Sequence, residues 1–291
     1  MGTVGEVPPL SRSSDMGAPF DAILPEVPPT PIVVSVPHAG TDVGPFASAL
    51  APGLDVRCDA DLFVDELFFA DARLPDDPPR AFVCARLSRF VCDLNRDPDD
   101  VSPRAVPAHP APRNADGRGF VWEVTTTGAP ALGRPLALDE WRARRDIHAA
   151  YHRVLAEVLA RARTRFGYAI LIDGHSMPSI GRKGHADPGR PRADIVPGDR
   201  LGTSCAPSLS RQVGDHFRAC GFSVAFNDPY RGGFVTATHG RPAEGVHAIQ
   251  IEIRRDLYMD ETAFRQVPAG MTRLRATLAE LLRTLEGWSP P

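Results

Sequence analysis

The hydrophobic residues of the chain form several short, continuous runs. Four of them are residues 31–36 (PIVVSV), 80–88 (RAFVCARLS), 168–176 (YAILIDGHS) and 222–227 (FSVAFN). Apolar runs of this length, bounded by turn residues, are typical of buried strands. Residues 246–256 (VHAIQIEIRRD) alternate apolar and polar positions, which also indicates a strand.

Other segments repeat apolar residues every three or four positions, which is the spacing of one face of a helix. The clearest of them begins close to Asp139 and ends before Gly167. Because strands alternate with long helices, the pattern predicts an α/β fold with a mostly parallel sheet flanked by helices. The predicted helical segments are residues 59–73, 138–166, 207–220 and 260–288.

The thirty prolines are concentrated in the first thirty residues and in residues 75–135. We therefore expect a flexible tail over residues 1–30, followed by a single domain over residues 31–288. Two polar segments, residues 97–135 and 177–203, are too long to be passive connections, and loops of that length tend to be functional or disordered. Residues 231–242 (RGGFVTATHGRP) are expected to form a loop or hairpin.

The charge balance and the cysteines exclude several classes of protein. Lys and Arg (33) nearly balance Asp and Glu (36), so the net charge of −3 provides no electrostatic basis for binding nucleic acid or a membrane surface. The five cysteines form no CxxC pair, which argues against a disulfide framework and fits a reducing cytoplasm. We expect neither a signal peptide nor a membrane span. A monomer and a homodimer are both compatible with these features.

Two histidines lie at the ends of predicted strands. His38 follows the first strand, and His175 lies in the DGHS sequence that ends the strand at residues 168–176. The carboxyl ends of parallel strands meet at one edge of a sheet, where open α/β folds bind ligands. A single histidine there is more often structural, but two at separate strand ends suit a metal ion. A catalytic zinc ion commonly has three protein ligands and lowers the pKa of a bound water to about 7.

The third ligand is expected to be a carboxylate from residues 58–67 (CDADLFVDEL). We select Asp61, with Asp59 and Glu66 as alternatives. An acidic first turn, favoured by the helix dipole, explains Asp59 and Asp61 adequately without a metal.

Hydrolysis also requires a base, and Glu252 is the candidate because it lies between two isoleucines of a predicted strand. A carboxylate on the inward face of a strand is unusual unless it is paired or functional. The alternative is that Glu252 faces solvent or pairs with Arg254.

The DLNR sequence supplies a candidate substrate-binding pair. The planar guanidinium of Arg96 suits a carboxylate bidentately, and Asn95 is a neighbouring donor. The alternative is a surface ion pair between Arg96 and either Asp93 or Asp97.

Several of these motifs together resemble the N-formylglutamate amidohydrolase family. The resemblance extends from about Pro31 to the last helix. It rests on SVPHAG (35–40), SRFVCDLNR (88–96), YHRVL (151–155), FGYAILIDGHS (166–176) and RGGFVTATHGRPAEGVHAIQIEI (231–253). Membership implies a phosphorylase/hydrolase-like α/β fold with a topology similar to that of zinc carboxypeptidases. It also implies metal-dependent hydrolysis of N-formyl-L-glutamate to formate and L-glutamate in histidine degradation.

The resemblance also implies roles for individual residues. His38 and His175 correspond to the histidine ligands of Zn²⁺ or another divalent metal, and Glu252 corresponds to the base. Asn95 and Arg96 are similar to the Asn-Arg pair that carboxypeptidases use on a substrate carboxylate.

The RGGFVTATHG segment would add Arg231 and His239 to the substrate-binding residues. Another N-acyl amino acid or a short peptide stays open as the substrate, as does a non-catalytic binding protein of the same fold.

Overall fold

A single sheet forms the centre of the molecule. The computed structural model describes residues 18–69, 80–114 and 116–291. Six of its strands are β1 (Phe20–Ile23), β2 (Ile32–Val36), β3 (Ala81–Ala85), β4 (Ala169–Met177), β5 (Ile195–Gly198) and β6 (Val246–Arg254). They form one sheet in the order β1-β3-β2-β4-β6-β5. The four central strands are parallel and the two edge strands are antiparallel, which confirms the mostly parallel sheet.

Helices cover both faces of this sheet. Successive residues of a strand point to opposite faces, so Val34 of β2 packs into one hydrophobic cluster and Val33 into another. The first cluster includes Leu281, and the second includes Leu155. The α-helices of the described residues are α1 (Val64–Phe69), α2 (Leu138–Phe166), α3 (Pro207–Ala219), α4 (Phe234–His239) and α5 (Pro268–Glu286). The mixed α/β fold predicted from the sequence is therefore confirmed.

The longest helix, α2, follows the predicted pattern closely. Asp139 and Glu140 lie in its first turn and Arg163 and Arg165 in its last, which complements the helix dipole. Gly167 ends the helix in the left-handed region at φ 81°, where a residue without Cβ is not strained.

Two predicted elements are wrong because tertiary contacts decide them. Residues 222–227 form only an isolated bridge between Val224 and Ile195, and the Phe226 ring packs on Gly214 of α3. Residues 231–242 contain α4 rather than a hairpin. The backbone N–H groups of Phe234 and Val235 donate to the carbonyl and the side-chain oxygen of Asn95, so a distant residue caps this helix.

Other predicted elements differ in extent. The last helix begins at Pro268, after a short hairpin of β7 (Met259–Asp260) and β8 (Arg265–Gln266). The helix predicted over 59–73 begins at Val64, and residues 70–73 lie outside the described residues.

The expected tail over residues 1–30 is corrected in part, because Phe20–Ile23 pairs with β3. Residues 1–17 lie outside the described residues.

The strand register brings candidate residues to one end of the sheet. Asp173 of β4 lies opposite Gln250 of β6, and His175 lies opposite Glu252. His38 follows β2, which pairs with β4 on its other side. The predicted grouping of polar residues at strand ends is therefore present. The FVCDLNR segment, however, reaches it through turns rather than as a strand.

Two further features concern membrane and redox context. Across the described ranges, every helix is too short or too polar to cross a membrane. All five thiols are free.

Candidate active site

A cavity of about 420 Å³ opens at the carboxyl ends of the central strands. Its wall contains the candidate metal cluster, the candidate base and several arginines. The residues used below are His38, Asp61, Arg89, Asn95, Arg96, Arg118, His175, His185, Tyr230, Arg231, Gln250, Glu252 and Arg255.

Three buried side chains converge at the base of the cavity. Asp61 Oδ2 lies 3.0 Å from His175 Nδ1 and 3.6 Å from His38 Nδ1. One ligand atom from each residue can be chosen so that all three lie within 4.8 Å of one another. Two imidazole nitrogens and one carboxylate oxygen are a donor set that suits a divalent zinc-type ion.

Two further carboxylates orient the histidines. His38 Nε2 lies 2.7 Å from Asp93 Oδ1, and His175 Nε2 lies 3.0 Å from Asp173 Oδ2. An ionised carboxylate only accepts, so each Nε2 carries the proton and the Nδ1 atom of each ring faces Asp61. This is the outer support that metal-binding histidines usually have.

The electrostatics of the cluster favour a cation. Burial by itself raises the pKa of Asp61, but hydrogen bonds to His175 and His38 outweigh burial and hold that pKa well below its usual range. Burial lowers the pKa of His175, but Asp173 and Asp61 hold it well above the ordinary value. The negative charge around His175 therefore attracts a proton or a metal ion, and the two compete for its Nδ1 nitrogen.

Of the three carboxylates considered for the third ligand, Asp61 is the one beside the histidines. Its other oxygen, Oδ1, accepts from Arg255 Nη2 at 2.9 Å. Asp59 instead accepts from the backbone of Thr126 at 2.9 Å, and Glu66 is exposed on α1.

Glu252 is buried with one oxygen uncommitted. Its Oε1 accepts from Gln250 Nε2 at 2.9 Å, while its Oε2 has no hydrogen-bond partner among the described residues. Burial raises the pKa of Glu252 to about 7. The alternative pairing does not form, because Arg254 pairs with Asp194 and Asp256. A buried carboxylate with a free oxygen and a pKa near neutrality suits general-base catalysis.

The structure places three of the four expected substrate-binding residues at the cavity and the fourth outside it. Asn95 lines the cavity, and its Nδ2 lies 3.1 Å from His175 Nε2. Arg96 and Arg231 also line the cavity and are exposed. His239 does not line it: its ring is buried, and its Nε2 lies 3.0 Å from His152 Nδ1. We therefore remove His239 from the substrate-binding set.

Comparison with known proteins assigns the chain to a family. Residues 30–259 match the family model for N-formylglutamate amidohydrolase. Over 265 residues the chain is 33% identical to the N-formylglutamate deformylase of Pseudomonas aeruginosa, covering 89% of this chain and 93% of that protein. The chain belongs to the N-formylglutamate amidohydrolase family. The resemblance inferred from its motifs is thereby confirmed.

Two further comparisons agree with this assignment. The N-formylglutamate deformylase of Pseudomonas putida is 33% identical over 270 residues, with 89% of this chain and 93% of that protein covered. The crystal structure of the N-formylglutamate amidohydrolase from Ralstonia eutropha superimposes with a TM-score of 0.82 at 33% identity, covering 92% of this chain and 97% of that chain.

Several side chains in the site of this amidohydrolase were not predicted from its sequence. Arg89 pairs with Asp93 at 2.7 Å, and Tyr230 and His185 line the cavity. Arg255 directly follows β6, only three residues after Glu252. That proximity was the available signal for Arg255, whereas the others come from loops whose course the local pattern does not specify.

Two histidines of α2 support the Asn95 turn from behind. His152 Nε2 donates to the Leu94 carbonyl at 2.8 Å, and His148 Nε2 donates to the Arg96 carbonyl at 3.0 Å. These bonds hold the backbone on both sides of Asn95. His148 and His152 are four residues apart, so they lie on one face of the helix.

Acid is expected to destabilise this amidohydrolase through its buried neutral histidines. Burial lowers the pKa values of His148 and His239 from 6.5 to about 4. Between pH 4 and pH 6.5, these two histidines bind protons in the unfolded chain but not in the folded chain. This stabilisation is therefore complete above pH 6.5 and is lost as the pH falls towards 4.

His148→Gln keeps an N–H donor but removes one titrating group. We expect the free energy of unfolding, measured in urea at several pH values, to depend less steeply on pH in this variant. The difference should reach at most about 1.4 kcal/mol per pH unit between pH 6.5 and 4. An unchanged slope would contradict the assignment of a neutral, buried His148.

Proposed function

We propose that this protein hydrolyses the amide bond of N-formyl-L-glutamate to formate and L-glutamate, in the context of histidine degradation. The observation that carries the proposal is the uncommitted, buried Oε2 of Glu252 in the cavity that also contains the His38–Asp61–His175 cluster. The proposal is also supported by family membership and by relatives named N-formylglutamate deformylase.

We propose His38, Asp61 and His175 as the ligands of a zinc ion or another divalent metal. The donor types and the two orienting carboxylates support this assignment. Such an ion supplies Lewis-acid chemistry: it polarises a carbonyl oxygen and makes water more acidic.

The chain's own residues then move the protons. The free Oε2 of Glu252 accepts a proton from water as the water oxygen attacks the formyl carbon. Glu252 returns this proton to the amide nitrogen as the C–N bond breaks, so that formate and the amine of glutamate are released. Burial raises the pKa of Tyr230 to about 12, so its hydroxyl stays protonated and can donate to the developing oxyanion.

Substrate carboxylates require cations that are not already neutralised. Arg96 lines the cavity and has no ion-pair partner in the described part of the chain, and Asn95 stands beside it. We assign this pair to the α-carboxylate, because that group is attached to the carbon that carries the scissile amide nitrogen. Asn95 contacts His175, so this position lies next to the metal cluster.

The decisive assay compares related substrates on zinc-loaded protein. We expect formate and glutamate to be released from N-formyl-L-glutamate with a higher kcat/KM than for N-acetyl-L-glutamate or N-formyl-L-aspartate. An absence of turnover on all three would overturn the proposed reaction. A higher value for either analogue would leave amide hydrolysis in place but overturn the proposed substrate.

We also propose that the enzyme works in the cytoplasm. The five free thiols support a reducing compartment.

A further inference from the structure

The two long loops predicted to be functional meet at the cavity wall. The N–H of Gly184, in the second loop, donates to the carbonyl of Thr126 in the first at 2.8 Å. Arg182 Nη1 also contacts Thr126 Oγ1 at 3.2 Å and Asp59 Oδ1 at 2.9 Å. These bonds join the loops into one wall of the site.

Arg118 lies at this junction and lines the cavity, where it is half-buried. Its guanidinium lies directly against Gly184: a Cβ atom at residue 184 would lie 1.9 Å from Arg118 Nη1. The backbone is equally confined at the next residue, where a Cβ on Gly119 would lie 1.8 Å from the carbonyl oxygen of Asp100. The Arg118 guanidinium is therefore packed against the second loop at a position where residue 184 has no room for a side chain.

Arg118 is half-buried and has no anionic partner in the described part of the chain, whereas Arg96 and Arg231, which also lack one, are exposed. Arg89 pairs with Asp93, Arg182 with Asp59 and Arg255 with Asp61. The described residues contain no carboxylate within ion-pair distance of Arg118. A half-buried guanidinium has lost part of its hydration, and N–H groups without an acceptor leave that loss uncompensated. A ligand carboxylate would supply the missing acceptor, with two parallel hydrogen bonds.

We propose that Arg118 binds the γ-carboxylate of the substrate and thereby selects acidic N-formyl amino acids over neutral ones. This proposal rests on the proposed function. Asn95 adjoins the metal cluster, so it and the neighbouring Arg96 suit the α-carboxylate, which is close to the scissile bond. Arg118 instead packs against a loop residue, Gly184, which suits the far end of the side chain.

The test compares N-formyl-L-glutamate with N-formyl-L-glutamine, in which the γ-carboxylate is a neutral amide of similar shape. For Arg118→Gln, we expect kcat/KM on the glutamate substrate to fall by about 10- to 100-fold. On the glutamine substrate it should change by less than about 3-fold, because a neutral amide lacks the charge-assisted bond. Arg118→Lys should restore part of the loss. Arg104→Gln is the matched control, because Arg104 lies in the same loop but pairs with Glu123.

A second variant leaves Arg118 in the chain but displaces it. Gly184→Ala places a methyl group where the guanidinium lies, and we expect the same loss of preference for glutamate. Circular dichroism and zinc content show whether each variant is folded and loaded.

The outcomes separate the two proposals. Wild-type protein that hydrolyses neither substrate overturns the proposed function, and this inference falls with it. If the wild type hydrolyses N-formyl-L-glutamate, no loss on that substrate in Arg118→Gln overturns the inference alone. Where the wild type also hydrolyses N-formyl-L-glutamine, equal losses on the two substrates overturn it as well. A wild type that hydrolyses only N-formyl-L-glutamate, with a loss of about 10- to 100-fold in Arg118→Gln and none in Arg104→Gln, supports it. N-formyl-L-isoglutamine, whose α-carboxylate is the neutral amide, provides the last check. If Arg118→Gln leaves its hydrolysis unchanged while lowering that of N-formyl-L-glutamine, Arg118 binds the α-carboxylate and the γ-assignment is wrong.

Discussion

Glu252→Gln is expected to lower kcat for N-formyl-L-glutamate by about 10²- to 10⁴-fold, the contribution typical of a general base. An amide at this position cannot accept the proton of the attacking water. Its oxygen can still accept from Gln250, so the hydrogen bond that orients the side chain is kept. Because Glu252 is not one of the three cluster residues, zinc content measured by atomic absorption should equal that of the wild type.

Glu66→Gln is the matched control for this substitution. Glu66 is exposed on α1, where it accepts from Gln266 at 2.9 Å and from Arg275 at 2.9 Å. We expect nearly unchanged turnover and metal content, which also tests Glu66 as the alternative ligand. Near-normal kcat in Glu252→Gln would refute its role as the base, and a loss of zinc in that variant would make it a metal-binding residue.

His175→Ala is expected to abolish stoichiometric zinc binding and, with it, turnover. The substitution removes one of three ligands and leaves Asp61 Oδ2 without its hydrogen bond to His175, while Arg255 still pairs with Oδ1. Addition of zinc to metal-free wild-type protein should raise its melting temperature, because a ligand that binds only the folded state stabilises that state. The same addition should leave the melting temperature of His175→Ala nearly unchanged.

His216→Ala controls for zinc bound elsewhere. His216, Cys220 and Glu280 form a second, more exposed group whose potential ligand atoms lie within 4.8 Å of one another. We expect His216→Ala to keep one zinc per chain and full activity. A stoichiometric zinc content in His175→Ala that disappears only when His216 is also replaced would show that the assignment of the catalytic metal is wrong.

The metal cluster illustrates what one segment can indicate and what it cannot. Strand patterns placed His38 and His175 at carboxyl ends of the sheet, and parallel pairing brings such ends together. Asp61 was harder to assign, because Asp59 and Glu66 lie nearby on the chain with the same chemistry. The choice depends on the turn after residue 58, where the Asp61 N–H bonds to the His38 carbonyl at 2.9 Å.

The segment at residues 231–240 is a case in which the local sequence pattern predicted the wrong element. The RGGFVTATHG segment contains no local helix cap, so a loop was the reasonable expectation. The helix forms because Asn95, about 140 residues earlier, supplies the acceptors for its first N–H groups. In this helix the His239 ring lies against His152 and does not line the cavity.

The sequence by itself determined the fold class, the strand ends that carry the histidines and the buried strand that carries Glu252. These features follow from the spacing of hydrophobic residues along the chain. Local backbone geometry determines from that spacing whether a segment is a strand or a helix and which of its residues face the core. Only the tertiary structure decided which carboxylate joins the histidines and which arginines remain unpaired at the cavity. Those properties depend on distances between loops, and loop distances are fixed by contacts between residues far apart in the chain.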